Sequence, residues 1–372
     1  MTDSRKTDAP NLATRRDQAA VFRVVDANAN RATEGLRVVE EFLRFRWEDR
    51  LLSETCKSIR HEVSRTVVSL MPSEQRVACR STETDVGVQV QGETEYSRPG
   101  LIDVAQANAK RATEALRVME EYSKLFSSDA AKQFESLRYR TYTLEKAIGH
   151  LVRGNQRLQT AHLYVLIDGH YGFGDEFKNR VENLAKSDVD IVQLRAKDAT
   201  DRDIVQAARE IGEILHAADV LFIINDRPDI ARVVNADGVH VGQSELSVAD
   251  ARAIVGPDML VGVSTHSLSQ AKQAVTDGAD YLGVGPVFSS KTKQFDQLAG
   301  LEFVKQVHTE IKLPFFAIGG IDDARLPELI AVGGYRAAIS RAIWRASDPS
   351  ETARRIKEEL VNASPSSVEA EL

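Results

Sequence analysis

Between residues 190 and 341 the sequence places polar clusters at the ends of short apolar runs. Gln193-Leu194-Arg195-Ala196-Lys197 closes one of them. Side chains alternate across an extended strand, so Gln193, Arg195 and Lys197 share a face. An amide and two cations there suit a phosphate, and equally a salt-bridged rim. Asn225-Asp226 closes the next run. A carboxylate beside an amide suits a Mg²⁺ that already carries phosphate oxygens, or else a turn that caps the helix beginning at Arg227-Pro228. Glu245 offers a second metal-ligating carboxylate, whereas His240, inside its run, reads as structural. Ser264-Thr265-His266-Ser267 can donate to phosphate or a heterocycle, or cap the following helix, and His266 is a weak acid–base candidate. Ser289-Ser290-Lys291-Thr292-Lys293 has the composition of an anion-binding loop. Gly319-Gly320 exposes backbone N–H groups, and Ser340-Arg341 closes the last run. Separate cationic and N–H-rich ends point to two phosphorylated ligands.

These clusters need a scaffold that gathers strand ends. Eight strand candidates fall at 163–168, 190–195, 220–224, 237–240, 260–264, 280–284, 314–318 and 335–339, with helical patterns between most of them. Alternation of this kind implies βαβ units and a parallel sheet. Eight units in so short a span fit a (β/α)₈ barrel, whose chemistry sits at the C-terminal strand ends. A doubly wound open sheet is the alternative. The count of eight and the lack of Gly-x-Gly-x-x-Gly after the first strand favour the barrel.

The first part of the chain reads as helical and contains a repeat. Asp26–Phe42 (DANANRATEGLRVVEEF) and Gln106–Tyr122 (QANAKRATEALRVMEEY) agree at 12 of 17 positions. Each copy opens a helical hairpin, with first helices starting near 24 and 104 and second helices over about 50–70 and 129–153. Two hairpins can pair about a pseudo-twofold axis. Ala32, Gly35 and Val39 form a small-residue stripe for close helix contact, extended by Leu36 and Leu43. Asn28, Arg31 and Glu34, like Asn108, Arg111 and Glu114, fall near one helix face. Arg31–Glu34 and Arg37–Glu41 are also ordinary intrahelical ion pairs. The identity of Asn, Arg, Thr and Glu in both copies favours a paired polar site.

The expected organisation is therefore α/β: a disordered tail over 1–19, an all-α domain over 20–155, a TIM barrel over 160–350 and a disordered tail over 362–372. The net charge is −7 and no domain is strongly basic, which argues against nucleic acid as partner. No apolar run reaches the roughly 18 residues that a bilayer span needs, and the first twenty residues lack the apolar core of a secretory signal. Two cysteines make neither a disulfide framework nor a zinc cluster. A cytoplasmic enzyme acting on small phosphorylated substrates is expected, with homo-oligomerisation left open.

Taken in order, Gln-Leu-Arg-x-Lys, Asn-Asp, Asp-Gly-x-His-x-Gly-Gln, Gly-x-Ser-x-His and Thr-Lys make residues 160–345 resemble the thiamin phosphate synthases. The resemblance implies condensation of hydroxymethylpyrimidine diphosphate with a thiazole phosphate, giving thiamin phosphate and diphosphate. It implies that Gln193, Leu194, Arg195, Ala196, Lys197, Asn225, Ser264 and Lys293 bind the pyrimidine diphosphate, with Lys197, Ser264 and Lys293 catalytic. Asp226 and Glu245 would hold Mg²⁺. Ser290, Lys291, Thr292, Gly320, Ser340 and Arg341 would hold the thiazole phosphate. Glu245 stands where the family usually has Asp, Ser290 where it has Thr and Ser289 where it has Pro. The segment around Arg341 also diverges. The alternative is a thiazole tautomerase-like barrel beside a non-catalytic helical dimerisation module.

Residues 20–150 resemble the helical domain found fused to, or encoded beside, such synthases, a family associated with hydroxymethylpyrimidine-phosphate kinase activity. That resemblance implies ATP as cosubstrate and a site drawn from Asn28, Arg31, Glu34, Asp85, Asn108, Arg111 and Glu114. No Gly-x-x-x-x-Gly-Lys-Ser/Thr loop is present, so any nucleotide site is of another kind.

Overall fold

The computed structural model describes residues 15–80, 97–169, 173–289 and 298–365. It divides into two compact units, Met1–Ile148 and Gly149–Leu372. Among the described residues no helix is long and apolar enough to cross a membrane.

The first unit contains α1 (Arg15–Phe45), α2 (Arg50–Leu70), the short α3 (Ser73–Ala78), α4 (Leu101–Ser123) and α5 (Ser128–Arg157), whose residues past Ile148 belong to the second unit. Asp49 caps α2 by accepting from Leu52 N at 2.8 Å, satisfying one of the orphan donors of the first turn. α1 begins at Arg15, well before the expected 24 and inside the expected 1–19 tail. Val21 and Val25, one turn apart, are buried and extend the apolar stripe backwards.

The two repeats pack α1 on α4 through Ala32, Leu36 and Val39 of one and Ala112, Leu116 and Met119 of the other, all buried. The helices pack tightly at Gly35, where an added Cβ would lie 2.7 Å from Asn108 O. That neighbour is backbone and cannot swing aside. Gly35→Ala should therefore lower stability by about 1–3 kcal/mol, even though alanine favours the helix by roughly 1 kcal/mol. A urea titration reads the sign, and a stabilised variant would show that the helices can separate without loss.

Much of the repeat's identity holds each hairpin together. Glu40 is buried and meets Arg37 at 3.5 Å and Arg60 at 3.0 Å. In the second copy Glu120 meets Arg117 at 2.7 Å and Arg138 at 2.9 Å. The same acid thus ties the first helix of each hairpin to the second. Arg37–Glu41 is an ion pair as expected, at 2.5 Å.

The second unit is a closed barrel of eight parallel strands in sequence order. The strands are β1 (Leu163–Asp168), β2 (Ile191–Arg195), β3 (Leu221–Asn225), β4 (Gly238–Val241), β5 (Leu260–Thr265), β6 (Tyr281–Val284), β7 (Phe315–Ile318) and β8 (Ala337–Ile339). The outer helices are α6 (Asp175–Ala185), α7 (Asp201–Ala217), α8 (Pro228–Val234), α9 (Val248–Val255), α10 (Leu268–Asp277), α11 (Gly300–Glu310), α12 (Leu326–Ala331), α13 (Arg341–Trp344) and α14 (Pro349–Ala363). The last runs past the expected domain end at 350 and into the expected tail at 362. Its face of Ala353, Ile356 and Leu360 is buried.

Inside the barrel, Tyr164, Ile191, Ile223, Leu260, Tyr281, Phe316 and Ala338 form one core, with Leu158 and Ala161 packed into it. Past the expected end of the helical domain at 155, α5 continues as far as Arg157. Arg157 Nη1 donates to Asp258 O at 2.8 Å. Arg153 and His150 both reach the buried Asp280, with His150 Nδ1 2.9 Å from Asp280 Oδ1. Their acidic partner lies more than a hundred residues further along the chain.

Candidate active site

At the C-terminal ends of the strands the barrel opens into a cavity of about 1610 Å³. A drug-sized ligand needs roughly 300–1000 Å³, so there is room for two substrates at once. Gln193, Arg195, Lys197, Asn225, Asp226, Glu245, Ser264, Gly320, Ser340 and Arg341 all line it. Leu194 and Ala196 are not among the residues that line it. Strand alternation turns Leu194 into the buried layer behind the sheet. Ser290, Lys291, Thr292 and Lys293 lie outside the described residues, as does Asp85.

The centre of one wall is a lysine between two carboxylates. Lys197 Nζ lies 2.9 Å from Asp226 Oδ2 and 3.8 Å from Glu245 Oε1. Asp226 does not cap α8. It has φ +62, a left-handed conformation uncommon outside glycine, asparagine and aspartate. Asp226 N donates to His240 O at 2.8 Å, which fixes the turn. Two carboxylates converging on one cation form a partial donor set for a hard metal. Among the described residues no third His, Cys, Asp or Glu joins them. Any ion there would take its remaining oxygens from substrate and water.

Below this wall runs a buried polar chain. Gln193 Nε2 donates to Tyr164 Oη at 2.7 Å, and Tyr164 Oη is 3.2 Å from Tyr281 Oη. Tyr281 Oη is 3.2 Å from His240 Nδ1, and His240 Nε2 is 3.0 Å from Ser264 Oγ. Burial pushes the imidazole down to about 4, against the opposing pull of Asp226, so His240 is neutral at physiological pH. The hydroxyl-rich end of β5 divides by alternation. Ser264 faces the cavity, Thr265 Oγ1 donates to Gly283 O behind the sheet at 3.0 Å, and Ser267 caps α10. His266 Nδ1 sits 2.5 Å from Gly285 O.

The opposite rim is built by glycines. Gly319 and Gly320 have φ +106 and +64. A Cβ on Gly320 would lie 2.5 Å from Ser289 O, so only glycine lets the loops after β6 and β7 meet. Arg325 ties them together, donating to Gly320 O at 2.6 Å and Ser289 O at 3.1 Å.

Sequence reasoning passed over Tyr164, Tyr281, Asp168 and Arg325, all of which line the cavity. Tyr164 and Tyr281 carried a readable signal, as hydroxyls inside otherwise aliphatic strands. Arg325 carried none, because its partners are backbone carbonyls.

In the helical unit the expected residues separate. Asn28 and Asn108 donate to Val24 O and Val104 O of their own helices, both at 2.8 Å, beside the α1–α4 contact. Arg31, Glu34, Arg111 and Glu114 are exposed. The expected Arg31–Glu34 ion pair is absent among the described residues.

A family model described as Thiamine monophosphate synthase matches residues 163–343, and one described as the ThiD2 family matches residues 23–147. The thiamine-phosphate synthase of Gloeobacter violaceus is 42% identical over 345 residues, which is 92% of this chain and 98% of that protein. The thiamine-phosphate synthase of Rhodopirellula baltica is 40% identical over 356 residues, covering 93% of this chain and 94% of the other. A solved thiamine phosphate pyrophosphorylase from Pyrococcus furiosus aligns at TM-score 0.51 and 28% identity, covering 56% of this chain and 99% of that one. With eight strands closing a barrel around a lysine held by two carboxylates, and with relatives matched almost end to end, the chain belongs to the thiamine-phosphate synthase family.

Proposed function

We propose that the barrel joins hydroxymethylpyrimidine diphosphate to a thiazole phosphate. The observation that carries this reading is one cavity with a cation-and-carboxylate wall at Arg195, Lys197, Asp226 and Glu245, and a glycine-built rim opposite. In the reaction the C–O bond between the pyrimidine methylene and diphosphate breaks. The thiazole nitrogen supplies the electron pair for the new C–N bond, and diphosphate leaves with the electrons of the old one. No protein nucleophile is required. The chain must neutralise charge growing on the leaving group and exclude water from an electron-poor methylene.

Arg195 and Lys197 bind the diphosphate, with Asn225 and Ser264 as hydrogen-bond partners and Lys293 from the loop after β6. Gln193 orients the pyrimidine. Ser290, Lys291 and Thr292, with Gly320, Ser340 and Arg341, hold the thiazole phosphate. Asp226 and Glu245 fit a Mg²⁺, since their carboxylates already converge on a cation and leave most of the coordination to diphosphate oxygens. Such an ion would add positive charge where the leaving group accumulates negative charge. Retention of Lys197, Asn225, Asp226 and Lys293 favours this reading over a tautomerase, which needs no diphosphate apparatus.

For the helical unit we propose ATP-dependent phosphorylation of hydroxymethylpyrimidine phosphate, the step that yields the diphosphate the barrel consumes. Its support is the match to the ThiD2 family and the exposure of Arg31, Glu34, Arg111 and Glu114, which form no ion pair among the described residues. The arginines would hold phosphates, and Glu34, Glu114 and Asp85 would hold Mg²⁺. Asn28 and Asn108 would fix the helix contact from which they project.

Two incubations of the full-length protein with Mg²⁺ and thiazole phosphate test both readings. One supplies the pyrimidine diphosphate, the other the monophosphate with ATP. Thiamin phosphate in both is expected. None in the first overturns the barrel reading, and product in the first alone overturns the kinase. Arg31→Ala and Arg111→Ala should each slow the second reaction by about 10–100-fold, the weight of a charged hydrogen bond to phosphate, and leave the first unchanged. A changed sedimentation coefficient with unaltered ATP-dependent turnover would instead identify a dimerisation module.

A further inference from the structure

The buried chain Gln193–Tyr164–Tyr281–His240–Ser264 consists of four consecutive hydrogen-bonding contacts. Its three interior members each have one proton to give, because a phenol carries one and a neutral imidazole carries one N–H. Each of them makes two contacts. A member that accepted at both would bury an unbonded proton, which protein interiors avoid. Every proton must therefore point the same way along the chain, and the two ends are coupled.

Only two senses exist. In the first, Gln193 Nε2 donates to Tyr164, Tyr164 to Tyr281, Tyr281 to His240 Nδ1, and His240 Nε2–H to Ser264 Oγ. The Ser264 proton is then available to the cavity, and Gln193 Oε1 is left as an acceptor. The placement of Gln193 matches this sense: its Nε2 donates to Tyr164 Oη, the residue is 2% exposed, and its Oε1 is buried with no partner among the described residues. In the second sense Ser264 donates inward, the amide is turned, and Gln193 offers N–H where it had offered oxygen. The site then shows a donor at the ring and only lone pairs at Ser264.

The barrel wall is recessed to admit this chain. His240, Gly262 and Tyr281 are neighbours across β4, β5 and β6. A Cβ on Gly262 would lie 2.1 Å from the Tyr281 ring, and one on Gly283 3.2 Å from His240 Cε1. Two positions that normally fill a barrel interior are thus empty so that the tyrosine and histidine can cross it.

We infer that Tyr281 and His240 are positioning residues that fix the hydrogen-bond sense of this chain, and so make the site accept a pyrimidine bearing an exocyclic amine and reject one bearing an oxo group. The inference rests on the synthase reading above. An amine has a proton to give to Gln193 Oε1, and a diphosphate has oxygens to receive the Ser264 proton. The first sense suits both ends of that one molecule. An oxo group would set two acceptors against each other at Gln193, and hydrogen-bonding sites discriminate strongly against a missing partner.

The test uses the full-length protein and its Tyr281→Phe variant, which loses one oxygen and keeps the ring. kcat/KM is measured with the aminopyrimidine diphosphate and with its oxo analogue, at saturating thiazole phosphate. The wild type should prefer the amine by on the order of 10³ or more. In the variant His240 loses its donor, its proton is free to move to the other nitrogen, and the preference should fall at least tenfold. The KM for thiazole phosphate should stay within about twofold, since that site is on the opposite rim. Should Tyr281→Phe fail to fold, Tyr164→Phe breaks the same chain one contact away and should lower the same ratio. A variant that loses activity on both pyrimidines equally, or a wild type without the preference, overturns the inference. A wild type that forms no thiamin phosphate overturns the synthase reading instead.

Discussion

Asp226→Asn is expected to lower kcat/KM for the condensation about 10³-fold, roughly 4 kcal/mol of transition-state stabilisation, and to leave the thermal midpoint almost unmoved. Asparagine is the informative substitution because Asp226 has φ +62. Asn tolerates that conformation, whereas Ala would add roughly 1–2 kcal/mol of backbone strain and confuse stability with chemistry. Volume and the backbone bond to His240 O are kept. What disappears is one negative charge, and with it the 2.9 Å partner of Lys197. Glu245, 3.8 Å from the same ammonium, cannot replace it at that distance. The loss should fall mainly on kcat, because charge builds on the diphosphate only as the C–O bond breaks. Raising Mg²⁺ should restore part of the rate. Wild-type turnover at every Mg²⁺ concentration would remove Asp226 from the diphosphate site.

Most of the barrel was legible because its signals are local. Apolar runs of four to six residues separated by amphipathic ones report strand and helix directly, and the polar strand ends report where chemistry gathers. Period-2 alternation selected Gln193, Arg195 and Lys197, which line the cavity, and puts Leu194 on the other side of the strand. Alternation also settles the β5 end, where Ser264 and Thr265 point to opposite sides although both are hydroxyls. Features that depend on distant partners were not legible. The left-handed turn at Asp226 is set by a hydrogen bond to a strand fourteen residues on. The His240 environment needs Tyr281 from another strand.

The helical unit shows the same limit from the other side. Identity between the copies was read as a paired polar site, but identity has more than one physical source. Glu40 and Glu120 repeat because each must neutralise an arginine arriving from the second helix of its own hairpin. Gly35, part of the small-residue stripe expected to allow close helix contact, faces the backbone of Asn108. Once those positions are explained by packing, Arg31, Glu34, Arg111 and Glu114 remain as repeated charges with no packing reason to be charged. They are the part of the motif on which the kinase reading stands.

Asp280→Ala should be among the most destabilising substitutions in the barrel, by about 3–5 kcal/mol. Asp280 has no solvent exposure. It receives hydrogen bonds from Arg153 Nη2 at 2.5 Å, from Arg252 Nη2 and from Val261 N at 2.8 Å, with His150 Nδ1 at 2.9 Å. One carboxylate thus joins the C-terminal turns of α5 to α9 and β5. Removing it leaves Arg252 and Arg153 facing each other without a counter-charge, which is worse than removing the whole cluster. For a unit of this size the loss corresponds to a drop of roughly 6–20 °C in Tm. The pH dependence follows from the sign of the shift. Burial opposes ionisation of Asp280, but the His150 contact and the Arg252 and Arg153 charges outweigh it and hold the carboxyl below its usual range. A depressed pKa contributes stability that is complete above the unfolded value of about 3.9 and is lost as pH falls through the folded one. The wild type and Asp280→Ala should therefore differ by a constant margin from about pH 5 to 8 and converge in stronger acid. Calorimetry across that range checks both the margin and the convergence. A margin below about 1 kcal/mol at pH 7 would mean that the arginines find solvent once Asp280 is gone, and that this face of the barrel is held by apolar packing alone.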